Sequence, residues 1–537
     1  MTSGGRRGDE AQGAAVMSVG TMLSRGTGLL RVSVTLAALG LTTVSDAYMA
    51  ANTTPNMIYE LILGGILTSV FVPIIVQRMS AGDWSETTSR FLTLTLVTLS
   101  AVTVAGMLAA PWIMRFYLSG VQDAAQRESQ MALGTTFLRW FMPQIVFYGL
   151  GAVASGVLTA HRRFGPPMFA PVLNNVAVII TMGVFIAWGT GSLDAASLGT
   201  RETTLLGLGT TLGVVAMTVA LWPALRGLGF RWQPRLTVRD DAVRSLLRLA
   251  RWVVVYVAAN QLAYFVIITM NGRLREGAYT AYAQAFMFFS LPHAIVAVSI
   301  ATAILPRMAE RWAAADADGV ASACSRGLRD TEVAMLPAAI GLAVMAGPIV
   351  ALLAGYGAIG VDDRELLAQT LAAFAIGLPF FSAFQLLTRT AYATSDSRTP
   401  ALINIGAAVV NLAAAWAFAF ALGLGVPGMA LGHATSYLVG SVALFLALRR
   451  RIGDLYTRKI ASTLGRTFAA AVCSGMAALA ATWLVAEVLP LERPLLRAAQ
   501  VGAGVVAGVL VFAATALMFG VSEVDEVRSA LTSRFRR

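Results

Sequence analysis

Residues 160–167 read AHRRFGPP and form a short basic hairpin between two apolar stretches, residues 136–160 and 167–190. Each stretch has the roughly 20 residues that an α-helix needs to cross about 30 Å of hydrocarbon. The same pattern recurs along the chain, where apolar runs alternate with short loops that carry arginine. This pattern predicts an all-α polytopic membrane protein and argues against a β-barrel, whose strands would be short and alternating.

The composition supports a membrane location. Hydrophobic residues make up 57% of the chain, charged residues only 13%, and the mean hydropathy is +0.70. Soluble domains carry roughly 25% charged residues, so this chain could not cover a water-facing surface. The net charge of +12 comes from arginines clustered in alternate loops. This distribution is typical of membrane topology and argues against nucleic acid as a partner.

The apolar runs predict about fourteen transmembrane helices. They lie near residues 14–41, 47–78, 91–118, 136–160, 167–190, 203–226, 250–271, 279–309, 331–356, 366–393, 399–423, 427–449, 463–489 and 496–520. Arginine is concentrated in the connections after the even-numbered helices, which places both termini in the cytoplasm of an inner-membrane protein. The first apolar run lacks a small-residue cleavage site after it, so we interpret it as a retained helix.

An internal repeat divides the chain into two parts. Three pairs of residues share an offset of 233, namely Pro73 and Pro306, Ala160 and Ala393, and Pro167 and Pro400. Six helices separate the copies, which predicts a parallel repeat of two six-helix lobes followed by two extra C-terminal helices. The predicted divisions are a tail (1–13), a first lobe (14–226), a basic linker (227–249), a second lobe (250–449), two further helices (450–520) and a tail (521–537). The linker is either an amphipathic surface helix or a solvated loop.

Two arginines fall inside predicted helix 1. Charged groups within a span cost about 2.5–3.5 kcal/mol each and usually mark a substrate path. Arg25 and Arg31 lie about 120° apart around the helix, so they suit a wide cavity better than a single partner. Guanidinium binds phosphate oxygens in a bidentate manner, which indicates a cationic cavity for a phosphorylated lipid. The alternative is that both side chains extend to the headgroups.

Two acids and a group of neutral donors complete the candidate residues. Glu60 in helix 2 either pairs with Arg25 or Arg31 or acts in gating. Asp46 either caps helix 2 or helps to close an outer gate. Interhelical hydrogen bonding or a monovalent cation would each explain Asn404, Asn411 and Thr435. The sequence has no phosphate-binding loop, metal-ligand cluster or catalytic constellation, so we expect no enzyme activity.

These residues resemble the MurJ/MviN family of lipid II flippases, within the multidrug/oligosaccharidyl-lipid/polysaccharide exporter superfamily. The likeness covers nearly the whole chain and rests on four motifs. They are Ser24-Arg25 with Gly28 and Arg31; Asp46-Ala47-Tyr48 with Pro55-Asn56 and Phe71-Val72-Pro73; Arg163-Phe164 with Pro167-Met168-Phe169-Ala170-Pro171 and Asn175; and Ala391-Tyr392-Ala393 with Asp396, Thr399 and Pro400.

The resemblance implies alternating access that moves lipid II, an undecaprenyl-pyrophosphate-linked disaccharide-pentapeptide, between leaflets. By analogy, Arg25 and Arg31 would hold the pyrophosphate, and the two extra helices would form a groove for the lipid tail. We predict that the substrate-binding residues are Arg25, Arg31, Asn56 and Glu60, and that the gate residues are Ser24, Gly28 and Asp46. No cofactor is implied apart from coupling to a monovalent cation or the membrane potential. Partners would be lipid II, membrane lipids and the cell-wall synthesis machinery.

Two departures from the family pattern make the predicted cavity less basic. Tyr59 and Glu60 stand where the family often has arginine, and Gly64 stands where it has glutamate. In helix 8, Met287 falls at or near a family arginine. Three functions therefore stay open: a lipid II flippase, an exporter of another lipid-linked saccharide or amphipathic drug, and a non-transporting cell-wall scaffold.

Overall fold

The computed structural model describes residues 3–61, 72–189, 193–234, 241–489 and 493–535. Gly64 and Phe71 of the predicted helix 2 lie outside these ranges, as do the linker residues 235–240. Within the described ranges the chain forms helices and turns and no strand. The predicted all-α class is therefore confirmed.

The first half of the chain contains ten helices in the described ranges. They are α1 (Ser3–Leu39), α2 (Thr43–Tyr59), α3 (Val72–Ala81), α4 (Trp84–Tyr117), α5 (Ala124–Phe141), α6 (Gln144–Ala160), α7 (Gly165–Trp188), α8 (Thr200–Val219), α9 (Trp222–Arg226) and α10 (Asp241–Asn271).

The second half contains eleven more described helices. They are α11 (Ala278–Pro292), α12 (Val298–Ala313), α13 (Ala317–Val344), α14 (Ala346–Ala354), α15 (Val361–Ile376), α16 (Leu378–Ala393), α17 (Arg398–Trp416), α18 (Gly425–Ile452), α19 (Thr457–Val488), α20 (Pro494–Met518) and α21 (Ser522–Phe535). A π-helical turn joins α11 to α12, and another follows α17.

Nine helical segments of the described chain are long and apolar enough to cross a membrane, or up to eleven if each of two bent pairs is one span. The bent pairs are α13 with α14, at 71°, and α15 with α16, at 46°. Three predicted helices have no counterpart among those eleven. Predicted helix 1 corresponds to α1, predicted helix 2 to α2 with α3, and predicted helix 7 to α10. The number fourteen therefore stays a prediction, whereas a multi-pass membrane protein is confirmed.

Several segments predicted as tails or loops are helical. Helix α1 begins at Ser3, inside the predicted tail, and α10 begins at Asp241, inside the predicted linker. The C-terminal tail contains α21. Cys324, which lies between predicted helices 8 and 9, is also helical because α13 already begins at Ala317. The Cys324 side chain is fully buried and its Sγ accepts a hydrogen bond from Thr390.

The chain divides into two compact units, Met1–Thr280 and Ala281–Arg537. In the first unit, α7 packs against both α1 and α8, α2 packs against α5, and α4 packs against α6. A core of Ile75, Val157 and Leu225 joins α3, α6 and α9. This first unit positions every candidate residue of helices 1 and 2.

The second unit is built around α13 and α18. Helix α13 packs against α12, α16 and α19, and α18 packs against α15, α16 and α17. Helices α19 and α20 approach closely along small residues, where Ser474 donates to the Gly508 carbonyl at 2.8 Å. Close approach at small residues is the usual way in which membrane helices associate, because lipid offers no hydrophobic drive between them. The predicted lobe and linker boundaries stay a prediction.

Candidate functional site

The predicted arginine segment of α1 is anchored by α7. The Asn175 side-chain amide donates to the Ser24 carbonyl at 3.1 Å and to Thr27 Oγ1 at 3.0 Å. A Cβ at Gly28 would lie 3.6 Å from the same amide nitrogen. Asn175 is nearly buried, so these bonds form away from bulk water and fix the position of the helix turn that carries Arg25.

Neither arginine forms an ion pair with another residue in the described part of the chain. Arg25 is exposed on α1, and Arg31 is half-buried. Arg31 is close enough to Tyr48 and Tyr148 for an electrostatic interaction with their hydroxyls. An arginine in a membrane helix without an acidic partner retains donors for an anionic ligand, since guanidinium stays charged.

Asn56 and Glu60 lie near the end of α2, beside a pair of tyrosines. The Asn56 side chain hydrogen-bonds the Tyr148 hydroxyl, and the rings of Tyr59 and Tyr148 are 5.7 Å apart. In the described chain, no ion pair links Glu60 to Arg25 or Arg31. The structure thus brings Asn56 and Arg31 to one tyrosine, whereas the proposed pairing of Glu60 with an arginine is not found.

Asp46 binds the first turn of α11. Its Oδ2 accepts from Gly277 N at 2.9 Å, and its Oδ1 accepts from the Thr280 N at 2.9 Å and Oγ1 at 2.8 Å. The proposed cap of α2 by Asp46 is wrong, because Thr42 is the N-cap and shares a capping box with Ser45. Asp46 instead satisfies the amides at the start of α11, where the helix dipole favours negative charge.

A close backbone approach surrounds these bonds. Gly277 has φ +73°, and a Cβ there would lie 2.4 Å from the Leu41 carbonyl oxygen. Nearby, Thr43 N donates to Glu276 Oε1 at 3.2 Å. The sequence reasoning missed Gly277, Glu276 and Thr280. The repeat offset could have drawn attention to this region. Thr43 and Glu276, which hydrogen-bond to each other, are 233 positions apart and so occupy equivalent positions of the two copies.

The candidate cation residues lie on two packed helices, α17 and α18. Asn404 is buried, and Thr435 Oγ1 donates to the Leu431 carbonyl within its own helix. The Asn411 side-chain oxygen is buried without a hydrogen-bond partner among the described residues. A cation at these residues stays a prediction.

Known proteins resemble the chain over most of its length. It is 29% identical to "Lipid II flippase MurJ" of Burkholderia cenocepacia, over 80% of this chain and 82% of that relative. It is 27% identical to "Probable lipid II flippase MurJ" of Haemophilus influenzae, over 85% of this chain and 90% of that relative.

Solved structures share the fold. A structure described as "Lipid II flippase MurJ, inward closed conformation" superposes with a TM-score of 0.74 at 18% identity, covering 94% of this chain and 98% of the other. An inward-facing MATE-family multidrug transporter of the MOP superfamily gives 0.64 at 16% identity, covering 80% and 96%. The sequence model of the family "Lipid II flippase MurJ" matches residues 36–492, and the chain belongs to this family.

Proposed function

We propose that this protein moves lipid II from the inner to the outer leaflet of the cytoplasmic membrane. The observation that carries the proposal is the pair Arg25 and Arg31, which lie on α1 without an acidic partner among the described residues. A pyrophosphate would supply the missing anion, with charge-assisted hydrogen bonds worth about 1.5–3 kcal/mol each. These bonds would offset the cost of holding the arginines in the membrane.

The residues near α1 and the end of α2 each have a part in this proposal. Arg25 and Arg31 bind pyrophosphate oxygens, and Asn175 holds the Ser24–Gly28 turn of α1 in place. Asn56, with Tyr148 beside it, offers hydrogen bonds to the neutral part of the head group. Glu60 would repel the same anion, so it suits a role in release or gating better than one in binding.

Asp46 serves as a gate latch in the proposed cycle. Its three hydrogen bonds connect α2 to the first turn of α11, and opening the gate breaks them all. Water replaces such bonds when the gate opens. The free-energy difference between the closed and open states therefore stays within the few kcal/mol that ligand binding can shift. Ser24 and Gly28, the other two proposed gate residues, belong to the α1 turn that Asn175 anchors.

Orientation and coupling follow from the same proposal. The excess of arginine in alternate connections supports cytoplasmic N- and C-termini. A monovalent cation at Asn404, Asn411 and Thr435, or the membrane potential, would supply energy. The cell-wall synthesis machinery would receive the flipped precursor.

Complementation tests the proposal. A bacterium depleted of its own lipid II flippase would receive this chain, and lipid II exposed on the outer leaflet would be measured together with growth. We expect both to be restored. Failure of well-expressed protein would contradict the choice of substrate and favour another lipid-linked saccharide or an amphipathic drug. Growth without restored lipid II exposure would favour a scaffold.

A further inference from the structure

A pocket in the second unit lies among helices α13, α16, α18 and α19. Its volume is about 270 Å³, and most of its walls are apolar, among them Leu336, Phe380 and Phe445. Two of the lining residues are polar, Glu332 and Ser441. None of the proposed substrate-binding, gate or cation residues lines this pocket, although Ile460 and Leu464 of α19, one of the two helices expected to form the lipid-tail groove, do.

Glu332 places a carboxylate group in this apolar wall. The residue is only 4% exposed, and its Oε1 is buried without a hydrogen-bond partner among the described residues. Two arginines precede it on α13, but Arg329 pairs with Glu523 and Arg326 pairs with Glu526 on α21. A buried acceptor without a partner costs free energy that a bound cation or donor would recover.

The mouth of the pocket is formed by exposed apolar residues of α18, a helix long and apolar enough to cross a membrane. Leu438, Val442 and Leu446 lie at every fourth position on α18, line the pocket and are 41%, 51% and 46% exposed. Residues spaced by four lie on one face of a helix, so they form an apolar stripe that leads from the bilayer to the pocket. Ser441 donates its hydroxyl hydrogen to the Leu438 carbonyl, which leaves the Ser441 oxygen able to accept a hydrogen bond.

We propose that this pocket binds a single-chain aliphatic amine that arrives from the bilayer. Its ammonium group would pair with Glu332 and its chain would lie along the α18 stripe. A volume of about 270 Å³ is small beside the roughly 300–1,000 Å³ of drug-sized sites, so it suits one short chain better than a two-chain phospholipid. An amine is basic enough to form an ion pair with the buried Glu332 carboxyl, whereas an alcohol or a fatty acid is not.

The test uses the full-length protein in lipid nanodiscs at neutral pH. Radiolabelled n-octylammonium is the probe in equilibrium dialysis, with n-octanol as the uncharged match and empty nanodiscs as the partition reference. We expect saturable binding of one n-octylammonium per chain and none of n-octanol. Glu332→Gln keeps the shape and removes the charge, so it should weaken binding at least tenfold. Glu310→Gln changes an exposed glutamate on α12 and should bind like the wild type.

A second variant guards against misfolding of Glu332→Gln. Val442→Trp enlarges an exposed residue at the mouth, where the fold has room, and should also abolish saturable binding. The proposal is overturned if wild-type uptake equals that of empty nanodiscs, or if Val442→Trp or well-folded Glu332→Gln binds like the wild type. This readout does not depend on flipping, so it stands apart from the fate of the lipid II proposal.

Discussion

The two copies of the repeat share helix boundaries and turns but differ in their chemistry. Helix α6 ends at Ala160 and α16 ends at Ala393, which is 233 positions later. The first residues of α7 and α17 are separated by the same 233 positions. Left-handed turn residues recur at the same offset: Gly82 and Ala315 have φ 80° and 58°, and Arg162 and Ser395 have φ 58° and 57°. The structure therefore supports the repeat that three pairs of residues first indicated.

The candidate substrate-binding and gate residues belong to the first copy. At the offset of 233, the second copy has Ala258 for Arg25, Tyr264 for Arg31, Phe289 for Asn56 and His293 for Glu60. Phe289 is fully buried among aromatic rings, 5.4 Å from Phe374 and 5.6 Å from Phe381. Equivalent positions thus carry polar side chains in the first copy and, at Phe289, a packed aromatic core in the second, as expected if the proposed anion site lies on one side of the repeat.

Arg31 and its counterpart Tyr264 give the largest expected contrast. Arg31→Ala should reduce complementation to the level of an empty vector, because it removes charge-assisted bonds that only the first copy can make. Tyr264→Phe should complement fully. Plating efficiency at equal membrane expression measures both. Equal behaviour of the two variants would contradict the one-sided site.

The substitution Asp46→Asn is expected to give the second-largest effect. Asp46→Asn keeps the size but places an amide donor against the amides of α11, so the closed gate loses stability. We expect lipid II exposure to fall about tenfold, since three bonds to a charged acceptor are weakened. Asp123→Asn, at an exposed N-cap of α5, is the control and should stay near the wild type. Wild-type lipid II exposure in the Asp46 variant would exclude a latch.

The two hairpins between helices differ in how they are anchored. In the second copy, Asp396 accepts from Arg398 N and Thr399 N and pairs with Arg451 at 3.3 Å. Burial alone would raise the pKa of Asp396, but the hydrogen bonds from Thr399 and the charge of Arg451 outweigh it and lower the pKa. The first copy has Arg163 at this position, which cannot accept these bonds.

Asp396→Asn should therefore destabilise the protein by about 1 kcal/mol at neutral pH, because it removes the charge that pairs with Arg451 and strengthens the hydrogen bonds from the α17 amides. Arg163→Ala should change stability less. Because the folded pKa lies below the unfolded value of roughly 3.9, the Asp396 contribution is present above about pH 4 and is lost as the pH falls through the folded pKa. Thermal unfolding at neutral and acidic pH checks this. A gap between wild type and variant that widens in acid would contradict the assignment.

The smallest effect should come from the matched turns. Arg162→Gly and Ser395→Gly each relieve a left-handed conformation, and the greater entropy of unfolded glycine offsets part of the gain. We expect each to change stability by less than about 1 kcal/mol. Thermal unfolding should give nearly equal shifts, and shifts of opposite sign would show that the two turns are not equivalent.

Helix positions were more predictable than contacts. Apolar runs and hairpin prolines located α7 and α17 closely, because hydropathy and proline act locally. The role of Asp46 was less predictable, because either Thr42 or Asp46 could cap α2 and only the fold brings Gly277 and Thr280 to the carboxylate. The sequence around Glu332 does not distinguish it from other glutamates. Glu332 lacks a partner because Arg329 pairs instead with Glu523 of α21, which only the fold determines.

The central claim is that Arg25 holds the anionic part of lipid II. The most direct test is lipid II exposed on the outer leaflet of flippase-depleted cells that express Arg25→Ala, compared with Arg127→Ala at an exposed position on α5. We predict that Arg127→Ala matches the wild type, whereas Arg25→Ala falls to the depleted background at equal membrane abundance. Wild-type exposure in cells with Arg25→Ala would contradict the claim.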